Sequence, residues 1–133
     1  MKKILASLLL ITVATLSLHA QKGAKFQFKD KNDTYDFGKV KDGEKVVHVY
    51  EFKNVGDEPL RILKAEASCG CTTPEFSALP VLPGKSGTIK VTFNSAGRVG
   101  PVIKDINIQS NAVQEDKSKE RYVLTLKGQV EPK

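Results

Sequence analysis

The two cysteines of the chain stand one residue apart, as Cys69-Gly70-Cys71. In an extended strand the side chains at i and i+2 point to the same side. Their Cα atoms then lie roughly 6–7 Å apart, near the upper end of what a disulfide spans. Gly70 has no Cβ and lets the backbone bend to shorten that span. A disulfide between Cys69 and Cys71 is therefore feasible, though strained. So small a ring removes little entropy from the unfolded chain, so it is a poor staple. A strained, exposed bridge is also easily reduced. The pair fits an oxidised structural pair, which an oxidising compartment favours. It also fits two soft thiolates holding Cu(I), a thiol–disulfide exchange site, or an unpaired or intermolecular thiol. Zinc is disfavoured, because a closed site wants four ligands. The chain has no second cysteine pair, and His48 is the only histidine beyond His19.

Other chemistry-bearing residues read more plainly. His48 falls on the apolar face of an alternating segment and is expected to pack there rather than act as a base, which would need partners within reach. Gly84-Lys85-Ser86 resembles the end of a phosphate-binding loop, but the required first glycine position holds Leu79. A strand, not a helix, is expected to follow it. Asn32-Asp33-Thr34 fits a glycosylation sequon and is read as a loop. Arg98, between Gly97 and Gly100, is either displayed to a partner or simply solvated. No nucleophile–base set is visible. The expectation is therefore a non-enzymatic protein with no cofactor and no metal site beyond the Cu(I) reading of Cys69 and Cys71.

The start of the chain sets the compartment. Met1-Lys2-Lys3 is followed by an apolar run from Ile4 to Leu18 and ends in Leu18-His19-Ala20. This is the pattern of a secretory signal peptide over residues 1–20. The run is shorter than the about 20 residues of a spanning helix, and no later segment is long and apolar enough to span. A periplasmic or extracellular location follows. Cleavage after Ala20 leaves residues 21–133, about the size of one domain. It also lowers the net charge from +6 by the two lysines, to +4. The basic residues are scattered, without the interleaved aromatics of a strand binder. Nucleic acid is not an expected partner. Weak attraction to anionic envelope surfaces fits the charge.

The elements that must carry these residues are short strands. In residues 87–93, Ile89, Val91 and Phe93 alternate with Thr88, Lys90 and Thr92, the signature of a half-buried strand. Residues 121–127 place Tyr122, Leu124 and Leu126 inward. Residues 102–109 do the same with Val102, Ile106 and Ile108, and residues 46–53 with Val46, His48, Tyr50 and Phe52. Residues 60–66 oppose Leu60 and Ile62 to Leu63 and Ala65, which predicts a strand covered on both faces. Residues 34–40 form an earlier strand anchored by Tyr35, Phe37 and Val40, and Phe26 and Phe28 start another. Turn compositions separate them: Lys41-Asp42-Gly43-Glu44, Asn54-Val55-Gly56-Asp57-Glu58-Pro59, Pro83-Gly84-Lys85-Ser86 and Ala96 to Pro101. The mixed-charge stretch from Glu115 to Arg121 reads as an exposed hairpin loop. No segment carries a helical stripe. About seven strands with regular turns predict an all-β, immunoglobulin-like antiparallel β-sandwich with Greek-key connections.

Several segments together resemble a known family. They are Asp36-Phe37-Gly38-Lys39-Val40, Gly43, Tyr50 to Gly56, Pro59-Leu60, Ser68-Cys69-Gly70-Cys71-Thr72, Pro83 to Gly87, Phe93, Gly97 to Gly100, Ser110-Asn111 and Leu126-Lys127-Gly128. In this order they resemble the exported bacterial domain-of-unknown-function family 1573, over residues from about 35 to 130. That family is similar to the immunoglobulin-like sandwiches of ciliary and sperm proteins. The resemblance implies a binding or scaffolding domain and brings no established activity or ligand; the expected partner is an unknown envelope protein or glycan. The second reading is a small redox or Cu(I)-handling protein that uses Cys69 and Cys71. Intact mass of the exported protein should lack residues 1–20 and rise by about 2 Da on reduction. A full-length mass, or no change with reductant, would contradict the compartment or the bridge.

Overall fold

The computed structural model describes residues 23–114 and 121–133. The expected signal segment lies outside them, as does the loop expected from Glu115 to Arg121 except for its last residue. Eight strands form: β1 Phe26–Phe28, β2 Thr34–Lys41, β3 Lys45–Asn54, β4 Ile62–Ala67, β5 Thr72–Phe76, β6 Ser86–Asn94, β7 Gly100–Ser110 and β8 Tyr122–Glu131. They build two four-stranded sheets, ordered β1-β3-β6-β5 and β2-β8-β7-β4. The connections β3–β4, β4–β5 and β6–β7 cross between the sheets, as in a Greek-key sandwich.

Alternation dictates the core. Val46, Tyr50 and Phe52 of β3, Ile89, Val91 and Phe93 of β6, Val102, Ile106 and Ile108 of β7, and Leu124, Leu126 and Val130 of β8 are all buried. Their outward neighbours are mostly polar, so each strand buries one face and solvates the other. Phe26, Phe28, Phe52 and Tyr122 close one end, with ring centroids 4.9–5.4 Å apart.

Three features differ from the expectation, each for a physical reason. First, β2 runs parallel to β8, so the sandwich is not wholly antiparallel. β1 and β2 are two halves of one N-terminal strand that changes sheets across a short 3-10 turn, Lys31–Asp33. Second, Leu63 is 63% exposed, so the strand near residues 60–66 is not covered on both faces. The register slips between Ile62 and Lys64. This bulge puts Leu63 outside and returns Ala65 to the core side with Ile62. Third, β5 was not expected: Thr72-Thr73-Pro74-Glu75-Phe76 has little apolar alternation, and pairing with β6 makes it a strand.

A second bulge, between Asp36 and Lys39, lets Tyr35, Phe37 and Val40 all pack on the core. Gly38 takes a left-handed φ of 69° there, and its N–H donates to Asp36 Oδ1 at 2.8 Å. The Phe37 ring lies directly over Gly128 of β8, where a Cβ would overlap it.

The loops at one end are tied by Asn54, which is fully buried. Its Oδ1 accepts from the N–H groups of Lys25 (3.2 Å) and Gly56 (3.0 Å). Its Nδ2 donates to the carbonyls of Glu58 (2.7 Å) and Val81 (2.9 Å). Its backbone N–H donates to Lys85, and its carbonyl accepts from Gly84. The amide thus uses both donors and both acceptor sites. Gly56 must stay small, because a Cβ would strike the backbone of residues 23–25.

Asn54→Asp keeps the shape but turns an oxygen toward two carbonyls. It should lower stability by about 3 kcal/mol, read as a lower urea midpoint. Gly128→Ala should cost about 1–3 kcal/mol by displacing the Phe37 ring. A wild-type midpoint for either would contradict the role assigned here.

Candidate functional site

Cys69 and Cys71 lie on the crossing from β4, an edge strand of one sheet, to β5, an edge strand of the other. They are joined in a disulfide with Cα atoms 5.3 Å apart. That is shorter than the extended-chain span, because residues 68–71 bend and turn here rather than continue a strand. The ends of the bend are pinned to both sheets. The Ser68 N–H donates to the Asp105 carbonyl at 3.1 Å, and the Cys71 carbonyl accepts from the Asn94 N–H at 2.9 Å. Cys71 packs partly against the core, while Gly70 is exposed with open space around it. As a disulfide the sulfurs carry no thiolate charge, so Cu(I) binding would require prior reduction. Among the described residues no group of three or more His, Cys, Asp or Glu could hold a metal ion.

Thr72, directly after Cys71, carries no signal of a role in the sequence. It is 4% exposed, and its Oγ1 lies 3.6 Å from Cys71 Sγ and 3.8 Å from Cys69 Sγ. The two sulfurs are the partners of this hydroxyl among the described residues. Asn54 and Ser95, the other buried polar residues, instead bond to nitrogen and oxygen. Ser95 Oγ accepts from the Gly43 N–H at 3.0 Å and donates to the carbonyls of Lys41 and Glu44, which fixes the β2–β3 turn.

His48 sits apart from the cysteines, opposite Val91 in the register, with β6 lying between its strand and β5. It packs between rings: Tyr35 stacks on it at 3.7 Å and Tyr50 meets it edge-on at 4.5 Å. Its Nε2 bonds Asp30 Oδ2 at 2.7 Å. Asp30 was not singled out in the sequence, because 18 residues separate the pair. The pair forms a strut across the β1–β2 switch. Beside it, the Tyr50 hydroxyl donates to the Thr125 carbonyl at 2.7 Å, linking the sheets. Burial, and next the Asp30 carboxylate, push the Tyr50 phenol well above its ordinary value.

The remaining sequence candidates are structural. Gly84-Lys85-Ser86 is a turn into β6, with the Lys85 N–H on the Leu82 carbonyl, so no phosphate loop precedes a helix. Asn32 and Asp33 take left-handed φ values of 54° and 55° in the sheet-switching turn. Asp33 Oδ2 there accepts from the Tyr122 hydroxyl at 2.7 Å. Arg98 is exposed in the β6–β7 turn.

This two-sheet arrangement is that of an immunoglobulin-like, PapD-like sandwich. The chain belongs to the family described as protein of unknown function DUF1573, whose model matches residues 26–130. A solved protein of unknown function from Porphyromonas gingivalis W83 is similar, with TM-score 0.66 and 21% identity over 85% of this chain. The chain spans 50% of that protein's length. The ASH / PapD-like domain of human CEP192 has TM-score 0.63 and 14% identity, covering 84% of this chain and 88% of that one. The secreted serine protease VesC from Vibrio cholerae has TM-score 0.55 and 16% identity, covering 83% of this chain and 23% of that one. At these identities the likeness is one of fold. No curated protein matches the chain. Among the described residues, no helix is long and apolar enough to cross a membrane.

The raised Tyr50 value gives a signed pH dependence. Between the ordinary tyrosine value of about 10 and the folded one, the unfolded chain has lost the phenolic proton and the native chain keeps it. Stability therefore falls as pH rises above about 10. The urea midpoint should fall more steeply from pH 9 to 11 in the wild type than in Tyr50→Phe. Equal slopes would contradict the assignment.

Proposed function

We propose that this protein is an exported, non-enzymatic binding module of the cell envelope that captures an extended segment of a partner protein along the free edge of β3. The observation that carries this reading is a contrast among strand edges. Natural sheets blunt exposed edges with short strands, bulges or proline. Here β1 is three residues long, and β2 and β4 carry bulges. β5 holds Pro74, whose ring nitrogen falls in the alternation that faces away from β6. Among the described strands with an open edge, only the uncovered part of β3 lacks such a guard.

β1 covers no more than the end of β3, from Phe52 to Asn54, with a last bond from the Lys29 N–H to the Glu51 carbonyl. By the same alternation, the N–H and C=O groups of Val47 and Val49 face outward. They have no backbone partner among the described residues. Their side chains are 52% and 48% exposed on the outer face of the sheet. An incoming strand would satisfy this row of groups and cover two valines, the physics of strand addition. The signal-like residues 1–20 support export.

Val49→Pro removes one outward N–H without touching the β3–β6 ladder. Wild-type protein should capture an envelope protein from extract, and the Val47 and Val49 amides should become protected from hydrogen exchange in that complex. Val49→Pro should lose the capture while keeping the wild-type circular dichroism. Capture of a glycan, or capture unchanged in Val49→Pro, would sink this reading.

A further inference from the structure

We infer that Cys69–Cys71 is a thiol–disulfide exchange site with a fixed polarity, in which Cys69 is attacked, Cys71 leaves, and the buried Thr72 hydroxyl stabilises the leaving thiolate. The inference is independent of strand capture at β3, which lies across β6 from the bridge. It adds a stoichiometric electron-accepting step to a protein read as non-enzymatic.

The argument begins with Thr72. The hydroxyl of a residue that is 4% exposed needs a partner, and here its partners are two disulfide sulfurs, which are weak acceptors. Ser95 and Asn54 show that this fold supplies oxygen and nitrogen partners to buried polar groups elsewhere. When the S–S bond breaks, the same hydroxyl faces a thiolate. Its hydrogen bond then becomes charge-assisted and much stronger. An interaction that strengthens as charge develops lowers the barrier, rather than merely stabilising the resting state.

The polarity follows from the two surroundings. Cys71 packs partly on the core, its carbonyl is fixed to Asn94, and its sulfur is the nearer to Thr72. Cys69 belongs to the bend that residues 68–71 make, and unlike Cys71 it is not among the residues packed on the core. Both cysteines are half-buried, so the asymmetry is that Cys71 packs on the core; Cys69 is therefore the sulfur offered to a thiol reagent. The bridged cysteines are separated by only 2 in sequence, so opening the ring frees little chain entropy.

The co-reactant is a dithiol, on a protein or a small molecule. One thiolate of the dithiol attacks Cys69 Sγ. A new S–S bond forms to Cys69, the Cys69–Cys71 bond breaks, and Cys71 departs with the electron pair as a thiolate. The second thiol of the dithiol, deprotonated, then attacks its own partner sulfur in the mixed disulfide and releases Cys69 as a thiolate. The dithiol is oxidised by two electrons to its disulfide. Cys69 and Cys71 are reduced and take up the two protons it lost.

The test uses the oxidised, folded chain without its signal segment. Brief treatment with glutathione and acid quenching, followed by peptide mapping, should place the adduct on Cys69 and leave Cys71 alkylatable. Dithiothreitol should reduce the bridge with circular dichroism unchanged. Thr72→Val, close in shape, should slow that reduction about tenfold, the worth of one hydrogen bond to a charged group. Thr72→Ser should restore the rate. In Cys69→Ser, adding Thr72→Val should raise the pH at which Cys71 becomes alkylatable. Adducts chiefly on Cys71, reduction only after denaturation, or a wild-type rate in folded Thr72→Val would each overturn the proposal. Should Thr72→Val fail to fold, the Cys69 adduct and native-state reduction in the wild type decide it.

Discussion

One amide holds the sandwich's end together. Asn54 ends β3, and its side chain bonds the loop that follows it and two segments distant in sequence. These are the β3–β4 loop, the strand start near Lys25 and the approach to β6. Leaving one buried donor or acceptor unmade costs about 1–3 kcal/mol, so these loops move together or not at all. Gly56 is forced small by the same closure, since the backbone near Gly23 passes where its Cβ would be. Ser95 does the corresponding work at the opposite end, binding the turn between β2 and β3. With both ends clamped, the strands between are free to present edges rather than to maintain shape.

The edges are unequal because the N-terminal strand is split. β1 leaves the first sheet after three residues, and the chain crosses to pair with β8 in the second. The crossing is strutted by His48 on Asp30, by Tyr35 on His48, and by Tyr122 on Asp33. Those contacts secure β2 and uncover the middle of β3. The same switch that completes one sheet therefore leaves the other with an unpaired row.

The disulfide sits on the opposite side of the first sheet, where β4 passes to β5. Its bend is also pinned at Ser68 and Cys71 by backbone bonds. The bridge lies next to a buried hydroxyl whose partners among the described residues are its two sulfurs. The two candidate functions thus occupy different edges of one sheet and draw on different groups: backbone amides on one side, sulfur on the other.

Much of this was legible in the residues themselves. Period-two alternation marked the inward faces of β3, β6, β7 and β8, because burial on one side imposes that period whatever the partner strand is. The Cys-Gly-Cys spacing marked the bend, and Asn-Val-Gly marked a turn. Bulges at Leu63 and Gly38 were not legible, since an inserted residue shifts the phase only when a neighbouring strand defines the register. β5 was hidden because its stability comes from pairing with β6 and not from its own pattern. Composition likewise could not choose the parallel partner of β2, nor bring Asp30 to His48 or aim Thr72 at two sulfurs. Local sequence determined which residues face inward and which atoms could react. Only the tertiary structure decided which edge stays open and what the buried hydroxyl touches, because both depend on contacts between segments far apart in the chain.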